Sequence, residues 1–143
     1  MPQGVYPPNP YGGNPYGQFP PPLTTMPGSV RAAQVVSIIF GALGILLVVV
    51  AMALGRYELA GGLIAGFLFA IIIAGFALAF GSAGNGVRTT VIVLASIEAL
   101  FGLAGIGAQL PPGLLGLIVG VTVIITLSRA SAGAWFKRPR EVY

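Results

Sequence analysis

The chain contains no cysteine, no histidine and no aspartate, and each absence removes a class of chemistry. Without cysteine there is no disulfide and no thiol centre, so cysteine usage says nothing about the redox compartment. Without any of the three, the usual metal-ligand sets and a Ser-His-Asp arrangement cannot be assembled. Ser131 with Lys137 is the nearest substitute, and a lysine with a solvated ammonium at a membrane edge is a poor base. The sequence is therefore expected not to be an enzyme, and to hold no cofactor and no metal. Charge is scarce as well: charged residues make up 7% of the chain and the acidic ones are only Glu58, Glu98 and Glu141.

What the chain has instead is apolar length. Hydrophobic residues are 56% of the sequence, concentrated in runs at 32–54, 59–80, 89–108 and 113–128, the last able to continue as helix to Phe136. A bilayer core about 30 Å thick needs roughly 20 apolar residues of helix at 1.5 Å per residue. No stretch outside these runs is long enough to bury a water-soluble core. The expected fold is all-α: an integral membrane four-helix bundle made of two hairpins, with one membrane domain over residues 30–128. A cleaved leader is not expected, although Ala51-Met52-Ala53 resembles a cleavage site, because 28 uncharged residues precede an apolar run too long for a signal peptide.

Basic residues set the orientation. With the N-terminus cytoplasmic, Arg31, Arg88, Arg129, Lys137, Arg138 and Arg140 fall inside and only Arg56 falls outside, as the positive-inside rule favours. The expected protein is multi-pass in the cell membrane with both termini cytoplasmic. The net charge of +4 points to anionic lipid headgroups and not to nucleic acid, because the basic residues sit at membrane edges. Trp135, Lys137, Arg138 and Arg140, in the juxtamembrane tail 129–143, suit the headgroup region, and Pro139 stops a helix there. Membrane anchoring and partner binding are both open to that tail. The first 29 residues form a separate Pro/Tyr/Gly-rich segment, with Tyr6, Tyr11 and Tyr16 spaced five apart and nine prolines before Ser29. It lacks the apolar surface to offset its ordering entropy, so a disordered cytoplasmic tail is expected, either merely solvated or used for docking.

Two short motifs recur in order. Phe40-Gly41-Ala42-Leu43-Gly44-Ile45 returns as Phe101-Gly102-Leu103-Ala104-Gly105-Ile106, and Gly62-Leu63-Ile64-Ala65-Gly66 returns as Gly116-Leu117-Ile118-Val119-Gly120. Matching first span to third and second to fourth makes the hairpins parallel repeats about an axis along the membrane normal. Helices in lipid associate where small residues let backbones approach, so Gly41, Gly44, Gly62, Gly66, Gly102, Gly105, Gly116 and Gly120 are the expected packing positions.

One carboxylate, Glu98, lies in the middle of a span. An acidic residue at a helix centre costs about 2.5 to 3.5 kcal/mol to insert, and no span offers a basic partner. The expected resting form is a neutral acid donating a hydrogen bond to Ser37, Gln34, Thr122 or a backbone carbonyl; Thr126 completes the set of intramembrane polar candidates. Three roles are open to Glu98: an interhelical bond, proton or cation coupling, and contact with another membrane subunit.

Taken together, the Pro/Tyr/Gly-rich leader, Asn85-Gly86-Val87-Arg88, the FGLAGI motif at 101–106 and Ala134-Trp135-Phe136-Lys137-Arg138-Pro139-Arg140 resemble small four-span membrane proteins of actinobacteria, of the streptomycete type. That resemblance implies the four-span fold and brings no activity or functional residue with it. A thinner resemblance, to small multidrug resistance transporters, consists of four short spans and one membrane glutamate. Here the glutamate lies in the third span instead of the first, and no Trp or Tyr stands within a span to form an aromatic cation site. The function expected from the sequence is a small structural or accessory membrane protein that associates through glycine-rich helix faces, as a homo-oligomer or a subunit of a membrane complex, with its tails available for recruitment. The alternative is a small proton- or cation-coupled transporter or pore acting through Glu98.

Overall fold

A computed structural model of the chain describes residues 23–108 and 112–139. The described residues form five α-helices and no strand: α1 Gly28–Ala53, α2 Tyr57–Leu78, α3 Asn85–Gly107, α4 Pro112–Ser128 and α5 Ala130–Lys137. Helices α1, α2 and α3 are long and apolar enough to cross a membrane; α4 taken with α5 across a bend of 68° raises the number to four. Most of the expected tail 1–29, together with Gln109 and Arg140, lies outside the described residues.

The helix ends follow from local chemistry. Helix α1 starts after Pro27, whose carbonyl accepts the amides of Val30 and Arg31 at 3.0 and 3.1 Å. It ends where Gly55 takes φ +69, a left-handed conformation that costs glycine little. There the Gly55 amide reaches the Met52 carbonyl and the Arg56 amide the Ala51 carbonyl, both at 2.9 Å, so two carbonyls at the helix end are satisfied and the chain turns back into α2.

Neighbouring helices pack in the order α1, α2, α3, α4, with α4 returning against α1. The most extensive contacts lie within the pairs α1–α2 and α3–α4; across the diagonals α2 meets α4 while α1 and α3 stay apart. The glycines explain why the two pairs are tight. A Cβ on Gly44 would stand 2.7 Å from the Phe67 side chain, and one on Gly41 3.1 Å from the Ala70 carbonyl oxygen. Between α3 and α4 the approach is backbone to backbone: a Cβ on Gly113 would lie 2.6 Å from the Ile106 nitrogen, and one on Gly120 2.8 Å from the Ala95 oxygen.

The fourth helix does not run straight to Phe136. Arg129 is extended, α5 folds back, and Ala132, Trp135 and Phe136 become buried across one end of the bundle. Trp135 is 5% exposed, its Nε1 donates to the Phe80 carbonyl at 3.0 Å, and Phe136 meets Phe80 edge-on at 5.5 Å. Trp135 is thus packed in the core, while Lys137 is exposed. Burial of two aromatic side chains, which cover 150–250 Å² each in typical cores, offsets the helical bonds lost at the bend. Arg88 helps, since its Nε donates to the Leu127 carbonyl at 2.8 Å and so satisfies an acceptor near the break. Arg138 stacks on the Trp135 ring, 3.4 Å from its centroid, and donates to the Trp135 carbonyl at 2.7 Å.

Candidate functional site

At the end of the bundle opposite α5 the α2 helix draws away from α3 and α4 and leaves a crevice of about 530 Å³. Glu58, Gly62, Ala65 and Gly66 line it from α2, Glu98, Phe101 and Gly105 from α3, and Gly113 and Gly116 from α4. From Glu98 to Ala108 it follows the last turns of α3 and its C-cap over ten residue steps, about 15 Å at 1.5 Å per residue. Glu58 stands near the open end and Glu98 near the middle of the span.

Glu98 is 3% exposed, and its Oε2 is buried with no hydrogen-bond partner. None of the side chains expected from the sequence as its partner makes a hydrogen bond to Glu98. Ser37 Oγ is itself buried and unpartnered, because α1 and α3 occupy opposite corners of the bundle. Gln34 donates to the Ala77 carbonyl at 2.8 Å. Thr122 and Thr126 donate back to Ile118 and Thr122, one turn earlier in their own helix, each at 2.7 Å, a common way for a hydroxyl to satisfy itself in an apolar setting. Ser96 does the same with Ile92 at 2.8 Å.

The glycines divide into two groups. Gly41, Gly44, Gly102, Gly105 and Gly120 are buried, and the first two, with Gly102 and Gly120, leave no room for a Cβ without displacing a neighbour. Gly62 faces open space, with nothing within 4 Å of an added Cβ, and Gly66 beside it also lines the crevice. Gly116 differs from both groups. A Cβ there would stand 3.0 Å from Glu98 Oε1, so its missing side chain makes the seat for the carboxyl group.

No family model, curated protein or solved structure matches this chain. The chemistry of the crevice is consequently read from its own residues. Among the described residues no three His, Cys, Asp or Glu side chains come together to hold a metal, and hard cations such as calcium take six or more oxygens. Sequence reasoning missed Glu58 as a crevice residue. The signal was present: Glu58, Gly62 and Gly66 follow each other at four-residue spacing and so share a helix face.

Proposed function

We propose that the chain is a small multi-pass membrane protein with a structural or accessory role. The observation that carries this reading is the fate of the polar side chains. Gln34, Ser96, Thr122 and Thr126 are all bound to backbone carbonyls, and between Glu98 and the α5 end the bundle is filled by Val91, Ala95, Val123, Leu127, Phe80 and Trp135. A proton or ion crossing this half would meet no chain of donors and acceptors, which transport through a bundle requires. Large side chains such as Ile39, Leu46, Leu100, Leu103, Ile118 and Ile125 are exposed and suit contact with lipid tails or with a membrane partner.

In this reading the protein lies in the cell membrane with both termini cytoplasmic, next to anionic headgroups, as a homo-oligomer or a subunit of a larger complex. The orientation is supported by the grouping of Arg31, Arg88, Arg129, Lys137 and Arg138 toward the α5 end, where Ser29 and Ser131 meet at 3.1 Å. The repeat of the two hairpins about a membrane-normal axis is supported by the recurring glycine motifs and by the pairing of α1 with α2 and α3 with α4.

Reporter fusions at Tyr143 and within 109–112 are expected to report opposite sides of the membrane, Tyr143 on the cytoplasmic side. A non-cytoplasmic signal from Tyr143 would overturn the orientation.

The accessory role is tested by transport. In liposomes carrying a pH gradient, the wild type and Glu98→Gln are expected to dissipate the gradient at the same rate as protein-free vesicles. Wild-type flux that vanishes in Glu98→Gln would replace the accessory role by the transporter.

A further inference from the structure

The crevice joins two features that a packing defect does not. Its walls are almost wholly apolar, while the carboxyl group of Glu98 at its inner end is buried, with Oε1 over Gly116 of the lining and Oε2 tucked away without a hydrogen-bond partner. Leaving a buried polar group unpaired costs about 1–3 kcal/mol, and more when the group is charged. The chain keeps both the group and the room around it. Gly116 seats the carboxyl group, and Gly62 leaves the opposite wall open.

We propose that this crevice binds a small organic amine with an apolar body, the ammonium group donating to Glu98 and the body lying along the glycine and leucine walls. The volume of about 530 Å³ falls within the 300–1,000 Å³ usual for small-molecule sites. Glu58 lies near the mouth, and Arg56, two residues before it, is not part of the lining, so the lining presents two carboxyl groups and no basic side chain.

Other occupants fit less well for stated reasons. A hard cation such as calcium takes six or more oxygen ligands, and the acidic groups of the lining are only the two carboxyl groups of Glu58 and Glu98. An anion would face two carboxyl groups. A lipid tail fills the walls but brings no donor to the Glu98 carboxyl group. A water needs two to four polar partners, and the walls beside Glu98 are Phe101, Gly102, Gly105 and Gly116.

The proton is accounted for in either direction. A neutral amine takes the carboxyl proton on entering; an amine that arrives as ammonium displaces that proton to solvent. Both routes end in the same ammonium–carboxylate pair, whose charge-assisted hydrogen bonds are about twice as strong as neutral ones. Binding of this kind adds to an accessory role and requires no passage across the membrane, so the result does not depend on the flux measurement above.

The test is binding of 4-phenylbutylamine to the full chain in nanodiscs of zwitterionic lipid, measured by calorimetry at neutral pH against empty nanodiscs. Saturable heat in excess of the empty nanodiscs is expected, with affinity reduced about tenfold or more in Glu98→Gln, the size expected for loss of a charge-assisted bond. Gly62→Leu keeps Glu98 and fills the crevice, and should abolish binding while eluting and melting as the wild type does. The alcohol 4-phenylbutanol, equal in shape but uncharged, should bind at least about tenfold more weakly than the amine. Binding no greater than that of empty nanodiscs would overturn the proposal. So would an unchanged affinity in Glu98→Gln or Gly62→Leu, or an alcohol as tight as the amine.

Discussion

Gly102→Leu and Gly120→Leu are expected to be the most damaging single substitutions in the chain. A Cβ on Gly102 would run into the Leu117 amide nitrogen and stand 2.7 Å from the Gly113 carbonyl oxygen; one on Gly120 would stand 2.8 Å from the Ala95 oxygen and 3.0 Å from the Ala99 nitrogen. These neighbours are backbone, and neither helix can swing them aside as it would the end of a flexible side chain. The helices must separate, which forfeits dispersion contacts along the whole α3–α4 seam. Overpacking typically costs 1–3 kcal/mol, and backbone clashes place these two changes at about 3 kcal/mol or beyond. Gly62→Leu is the internal control, because its Cβ enters open space. Thermal unfolding in detergent should show large drops in Tm for the first two and a Tm close to wild type for the third. Equal behaviour of all three would mean that the α3–α4 seam is not closed at its glycines.

Trp135→Ala is expected to destabilise the protein by about 3–5 kcal/mol, the range for removing a large aromatic side chain from a core. The side chain is buried against the bundle end, its N–H satisfies the Phe80 carbonyl at 3.0 Å, and Arg138 lies over its ring at 3.4 Å. Removing it leaves a void beneath α5 and frees a buried acceptor. Trp135→Phe keeps most of the ring volume but loses the donor, so a smaller loss of about 1–3 kcal/mol is expected. The chain has a single tryptophan, which makes intrinsic fluorescence a report on this residue alone. Emission should lie at short wavelength and resist quenching by acrylamide until α5 detaches. A tryptophan anchored among headgroups would be quenched readily in the folded protein, and its Ala variant would melt with the wild type.

The all-helical, membrane-compatible character of the chain was legible in the sequence because it is a local property. Each run from 32 to 108 is apolar over enough residues to satisfy every backbone group within its own helix, whatever its neighbours do. The helix stops were local too, with Gly55 able to take a left-handed turn and the glycine-rich Gly81–Arg88 segment breaking the second run. Glu98 was visible because a carboxylate in an apolar run is conspicuous without any knowledge of packing. The glycine stripes were visible as well, but their uses were not. Sequence alone treats Gly62 and Gly120 alike, and only the placement of α2 against α3 and α4 makes one a wall of open space and the other a point of backbone contact. The same holds for Ser37 and Glu98, between which the sequence allows a hydrogen bond that the diagonal placement of α1 and α3 does not make. Trp135 beside basic residues reads as an interfacial anchor in one dimension. The 68° bend turns it into the core, because burying Trp135 and Phe136 against Phe80 is a gain that exists only once the other four helix ends have been brought together.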